Sequence, residues 1–243
     1  LVGSEMCIRD RLWMRLSKGN VQTAIDLSAL GLDTIEETET EFRIGAMVSL
    51  RQLELHEGFT AYSEGANKEA LRHIVGVQFR NLATVGGSVF GRFGFSDVLT
   101  LLLVMDSYVE LYKGGIVPLA DFVNMPYDRD ILVRVIVKKT AAHYSYKSVR
   151  ISKTDFPVLT CAAALTQKGV QAAVGARPAK AALVKDAEQL ATLPMTGEKA
   201  QAFAEYAAGL LPTETNPRGS ATYRTHLIKV LTARCLTELG GKA

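Results

Sequence analysis

Cysteine is scarce in this chain: Cys7, Cys161 and Cys235 are its only three among 243 residues, and no two form a C-x-x-C pair. A disulfide framework, a zinc site and a four-cysteine iron–sulfur cluster therefore find no support. Histidine is nearly as scarce. His56, His73, His143 and His226 lie far apart without H-E-x-x-H or a comparable metal-ligand spacing, so they read as core or surface side chains. Neither Gly3-Ser4 nor Gly219-Ser220 has the surroundings of a nucleophile elbow, and no Ser/His/Asp arrangement is legible. Excess charge is missing too. With 28 Lys and Arg against 25 Asp and Glu the net charge is +3, too little to argue for nucleic acid or an anionic membrane surface. Lys138-Lys139, the only adjacent lysine pair, reads as a solvated strand end. The longest apolar run, Val98 to Met105, falls far short of the roughly 20 residues of a membrane span. With no disulfide framework and no span, the chain reads as cytoplasmic. There is no internal repeat and no low-complexity tract.

What is present suits a packed globular protein, with 48% hydrophobic and 22% charged residues in one large domain or two small ones. Val21–Leu27 alternates like a strand, and Phe42–Ala46 reads as a short one. Ser49 is placed to cap a helix through Leu50–His56. Lys68–Val75 has helical apolar spacing. Ser96 or Asp97 would cap a helix that turns Val98, Leu101, Leu102 and Met105 inward. Tyr108–Tyr112, a turn at Lys113-Gly-Gly115, and the β-branched run Ile131–Val137 complete this part. After a compositional shift at Thr140, strands are predicted at Tyr144–Val149, Pro157–Leu165 and Gly169–Gly175. Helices are predicted at Lys180–Leu193, Thr196–Leu211 and Ser220–Leu239.

The most informative stretch is Arg80-Asn-Leu-Ala-Thr-Val-Gly-Gly-Ser-Val89, with Asp97 beyond it. Thr84, Val85, Gly86, Gly87 and Ser88 bring backbone N–H groups and small side chains together, as a phosphate requires. A carboxylate at Asp97 could accept from a ribose hydroxyl. The spacing is neither the Rossmann nor the P-loop pattern. The plain alternative is a tight turn between two strands. The phosphate reading predicts a strand-like Thr84–Phe90 broken by a turn at Thr84–Ser88 whose N–H groups face a cleft.

Taken whole, Val75–Leu111 resembles the second flavin-binding segment of the molybdenum hydroxylase flavoproteins, the FAD-binding (medium) subunits of xanthine dehydrogenase and carbon monoxide dehydrogenase. Arg80, Asn81, Ala83, Thr84, Val85, Gly86, Gly87, Ser88, Ser96 and Asp97 carry the match. Phe42–Leu50, Asp130–Val137, Tyr144–Lys147 with Arg150, and Pro217–Arg224 are similar to further family segments. The resemblance covers Leu12 to Leu239. It implies an α+β fold. An FAD-binding PCMH-type (vanillyl-alcohol-oxidase-like) domain would span residues 12–139. A small antiparallel sheet with a three-helix C-terminal domain would span 140–243.

The resemblance also implies FAD as cofactor. Its contacts would be Thr84, Val85, Gly86, Gly87 and Ser88, the ribose carboxylate Asp97, a flavin-contacting Lys147, the backbone of Leu132, and Ile74 in an apolar flavin pocket. From sequence alone, Asp97 reads equally as a helix-cap neighbour, Lys147 as an exposed strand lysine, and Leu132 and Ile74 as core. Asp155 stands near the family's acidic stretch and receives no role. The implied partners are an iron–sulfur subunit and a molybdopterin-binding subunit, with NAD or another acceptor taking the electrons. The family's first flavin loop has no counterpart. Leu1–Arg11 reads as a non-native scar, which implies a truncated gene and weakened FAD binding. Two other readings stay open: a cofactor-less structural partner subunit, and a generic phosphate-ligand binding module.

Overall fold

The computed structural model describes residues 25–126 and 130–242. The readings made for Leu1–Arg11, for the start of the resemblance at Leu12 and for most of Val21–Leu27 lie outside the described residues.

The first part is built on an antiparallel five-stranded sheet. Its strands are β1 (Ile35–Glu37), β2 (Glu41–Gly45), β3 (Ser107–Leu111), β4 (Gly115–Pro118) and β5 (Leu132–Lys138), in the order β1-β2-β5-β3-β4. The β-branched β5 takes the centre, pairing with β2 through Val137↔Phe42 and with β3 through Val135↔Val109. Six short helices pack with this sheet: α1 (Leu50–Leu55), α2 (Glu57–Tyr62), α3 (Ala66–Leu71), α4 (Val77–Leu82), α5 (Val85–Phe90) and α6 (Asp97–Leu103). α7 (Leu119–Phe122) follows β4. Caps fix their starts. Ser49 and Gln52 form a reciprocal capping box on α1, and the His56 ring accepts from Phe59 N at 3.0 Å on α2.

The second part is an antiparallel sheet in the order β6 (Ala142–Arg150), β7 (Pro157–Thr166), β8 (Gly169–Gly175), β9 (Ala182–Lys185), with α8 (Gly197–Leu210) and α9 (Ala221–Gly240) against it. β7 holds the two parts together. It is buried along nearly its whole length. Ala162 and Ala164 face the core of the first part, while Leu159, Cys161, Ala163 and Leu165 face α8 and α9. A strand covered on both faces has no polar side, and small residues let the layers approach. Arg224 anchors the start of α9. It is fully buried and donates to the carbonyls of Val158, Glu214 and Gly219 and to Asn216 Oδ1.

Two expectations are corrected. Thr84–Phe90 is not strand-like: Val85–Phe90 is helix α5, because Thr84 caps it through its hydroxyl, which accepts from Gly87 N at 3.1 Å. Lys180–Leu193 is not a helix. Ala182–Lys185 adds an edge strand to β8, and Asp186 then accepts from Leu190 N and Ala191 N at 2.9 and 2.8 Å, closing a turn in place of a helical one. The described C-terminal part therefore carries two helices rather than three.

Candidate functional site

The glycine segment is where the sequence pointed first, and its donors are already committed. Val85 N donates to Val48 O and Gly86 N to Ala46 O, both at 2.9 Å. Gly87 N donates to Thr84 Oγ1, and Ser88 N to Thr84 O at 3.1 Å. The expected turn with N–H groups facing a cleft is thus not what forms. A buried donor needs a partner, and the Ala46–Ser49 segment supplies it, bridging to Thr84 from Ser49. Gly86 is a glycine because of this approach: a Cβ there would sit 2.6 Å from the Ala46 carbonyl oxygen.

Asp97 opens α6, where Ser96 caps by accepting from Leu99 N at 3.2 Å and donates to Ser88 O at 2.8 Å. The Asp97 carboxylate is 3% exposed. Its Oδ1 accepts from Tyr146 Oη at 2.6 Å and Arg150 Nη2 at 2.5 Å. Burial, and then the Asp97 charge, pushes the Tyr146 phenol well above its ordinary pKa, so it stays a neutral donor. Asp97 is therefore engaged by β6 before any ribose reaches it. The Arg150 side chain is only 6% exposed, yet its Nε and Nη1 have no hydrogen-bond partner. Unsatisfied donors on a buried guanidinium mark a place that an anion or water completes. Sequence reasoning matched Arg150 to a family segment but gave it no role; its spacing from Lys147 was the available signal.

Lys147 precedes Arg150 on β6 and lines a groove of about 650 Å³ between α3, β6 and α9. Its Nζ lies 2.6 Å from Glu238 Oε2, and Ser145 Oγ donates to the same oxygen at 3.1 Å. Lys242 links Glu238, at 3.4 Å, to Glu64, at 3.1 Å, and His143 Nδ1 lies 2.6 Å from the other Glu64 oxygen. Lys68, Arg72, His73 and Arg234 also face the groove. Arg72 pairs with Glu69 at 2.7 Å, whereas Lys68 and Arg234 have no carboxylate of the described residues within ion-pair distance. Burial and the neighbouring Arg72 lower the His73 pKa, favouring the neutral ring. Ile74 and Leu132 are core residues, 4% and 0% exposed, and neither lines the groove.

The carboxylates of this network carry a pH signature. Burial raises the Glu64 carboxyl, but the hydrogen bonds from His143 and Lys242 outweigh it and hold the pKa below the ordinary value. Glu238 is lowered in the same way by Lys147 and Ser145 against its burial. A depressed carboxyl stabilises the fold above its unfolded pKa of about 4.3 and loses that contribution as pH falls through its lower folded value. Thermal unfolding followed from pH 6 downward is expected to show a midpoint falling below about pH 4.3. In Glu64→Gln/Glu238→Gln that fall should be shallower, and an identical slope would contradict the assignment.

FAD carries a doubly charged pyrophosphate, which needs donors not already engaged. The unpaired ammonium and guanidinium of Lys68 and Arg234 in the groove meet that need, and the orphaned donors of Arg150 lie buried on the strand that carries Lys147, so the donor set fits the cofactor. The Thr84–Ser88 N–H groups, as they stand, add nothing to it.

Comparison with known proteins agrees. Residues 10–140 match the family described as FAD binding domain in molybdopterin dehydrogenase, and residues 144–239 match the CO dehydrogenase flavoprotein C-terminal domain. The chain is 27% identical over 211 residues to the uncharacterized protein YgfM of Escherichia coli K12, covering 86% of this chain and 77% of that one. It is 28% identical to the nicotine 6-hydroxylase medium subunit of Paenarthrobacter nicotinovorans, covering 94% and 85%. Among solved structures it shares the fold of carbon monoxide dehydrogenase from Hydrogenophaga pseudoflava, with a TM-score of 0.81, 20% identity and coverage of 100% and 95%. It also shares that of quinoline 2-oxidoreductase from Pseudomonas putida 86, with a TM-score of 0.79, 20% identity and coverage of 96% and 88%. Among the described residues no helix is long and apolar enough to cross a membrane. The chain belongs to the FAD-binding family of the molybdopterin dehydrogenases, oxidoreductase flavoproteins whose cofactor is FAD.

Proposed function

We propose that this chain is the flavin subunit of a molybdenum-dependent hydroxylase, working in the cytoplasm. In this reading electrons arrive from iron–sulfur clusters on a partner subunit, served by a molybdopterin-bearing subunit, and leave through FAD to NAD or another acceptor. The observation that carries it is the groove between α3, β6 and α9 that holds Lys147, Lys68 and Arg234 beside the Asp97–Tyr146–Arg150 cluster. The names of relatives support the assembly, since the nicotine 6-hydroxylase chain is a medium subunit.

FAD, when bound, supplies the electron-transfer chemistry, and the protein supplies position and electrostatics. Lys147 would hold the cofactor as a cation steered by Glu238. Arg150 would offer donors toward an anionic oxygen while Tyr146 fixes Asp97. Thr84, Val85, Gly86, Gly87 and Ser88 would act mainly by shaping the wall, with Ile74 and Leu132 as the apolar backing. The functional division falls at residues 139/140, between β5 and β6.

The test is affinity purification of the tagged chain from its native host. Iron–sulfur and molybdopterin-bearing subunits should accompany it in near-stoichiometric amounts. Recovery of this chain alone, at normal expression, would favour a free-standing ligand-binding module.

A further inference from the structure

Among the described residues, five that are not glycine have positive φ, and Val75, with φ of 49°, is the only β-branched one of them. A side chain branched at Cβ crowds the backbone in that region, so a valine stays there only where its surroundings hold it. Val75 lies in the turn that joins α3 to α4. Arg72 and His73, earlier in the same turn, line the Lys147 groove. A strained residue therefore sits two positions from the groove wall.

Arg80 is what holds it. The residue lies on α4 and is 4% exposed. Its Nη1 reaches back to the turn, donating to Ile74 O at 3.1 Å and Val75 O at 3.4 Å. Its Nε donates to Glu54 Oε2 at 2.8 Å, and its Nη2 to Glu54 Oε1 at 3.5 Å. Glu54, on α1, is itself buried and takes a second cation, Arg51, at 3.0 Å. One planar guanidinium thus ties α1 to both carbonyls of the strained turn. A rigid fork can serve all these acceptors at once, whereas a lysine ammonium is a single point of charge. On the groove side, His73 Nε2 accepts from Arg72 Nε at 3.1 Å. Burial, then the charges of Arg72, Arg150 and Lys153, outweigh Glu69 and lower the His73 pKa. The ring therefore reports where the turn sits.

We infer that Arg80 is a positioning residue for the groove: paired with Glu54, it holds Val75 in the left-handed conformation and so fixes Arg72 and His73 as the wall that a bound flavin nucleotide meets. That the ligand is FAD rests on the flavin-subunit reading; the hold on the turn does not.

The test compares the parent chain with Arg80→Lys and with Arg80→Lys/Val75→Gly. Lysine keeps a cation opposite Glu54 but gives up the fork, and glycine adopts positive φ without being held. Two quantities are read: the His73 titration by NMR, and FAD affinity by quenching of flavin fluorescence. In Arg80→Lys the His73 pKa should rise toward the ordinary imidazole value and FAD binding should weaken about tenfold. In the double variant both should return, the affinity to within about twofold of the parent. The titration of His226, exposed on α9, should stay in place throughout. If a circular dichroism melt shows that Arg80→Lys does not fold, Glu54→Gln, which loosens the other end of the clamp, replaces it with the same expected directions. The inference is overturned if His73 titrates alike in Arg80→Lys and the parent, or if glycine at position 75 restores neither quantity, since a merely structural Arg80 would not be rescued there. Should the parent bind no FAD, the flavin reading falls, and the His73 shift and its rescue still decide for or against the clamp.

Discussion

Arg150→Met is expected to cost about 3–5 kcal/mol of folding stability. Asp97 and Arg150 are buried to 3% and 6% side-chain exposure, so little solvent screens the pair or stabilises a partner left alone. Removing the guanidinium takes the cation away from a buried carboxylate at the junction of α6 and β6, while the Tyr146 hydrogen bond remains. The cost should come from the buried charge that has lost its cation and not from lost attraction. The double variant Asp97→Leu/Arg150→Met, which removes both charges, should therefore recover much of the stability, because apolar replacement of a buried pair is often nearly neutral. Urea unfolding of the parent and both variants checks this. A double variant as unstable as Arg150→Met would show that packing, not charge, dominates.

Gly86→Val should be of comparable size. The added Cβ would stand 2.6 Å from the Ala46 carbonyl oxygen and 2.8 Å from its Cβ, and two further methyls have no room in a buried helix. Overpacking of this kind costs about 1–3 kcal/mol or more. Relief requires moving Ala46–Ser49, which breaks the bonds from Val85 N and Gly86 N. The expected result is a lower urea midpoint together with proteolytic sensitivity near residues 46–49. An unchanged midpoint would mean that the glycine serves only an absent ligand and not the fold.

The sequence made most of the strands legible because they obey simple rules. β5 is β-branched, β8 ends at glycines, and Ser49 and Ser96 cap as their spacing predicts. It failed where a local signal was ambiguous. Two glycines in Val85–Phe90 suggested a turn, but a threonine cap and a neighbouring backbone closed them into a helix. Ala- and Lys-rich Lys180–Leu193 had helical composition, but an open edge on β8 captured four of its residues. In the groove, Lys147 was singled out through its family segment. The donors of Arg150 were not, because burial and missing partners are properties of the packed structure.

The most direct test of the central claim is binding of FAD to the purified chain. The protein is mixed with excess FAD, passed through gel filtration, and read by flavin absorbance and by quenching of flavin fluorescence on titration. Saturable one-to-one binding is predicted. It should weaken about tenfold or more in Lys147→Met, because a hydrogen bond to a charged group is worth about 1.5–3 kcal/mol. A colourless protein peak with no saturable quenching, or an affinity indifferent to Lys147, would contradict the flavin-subunit reading.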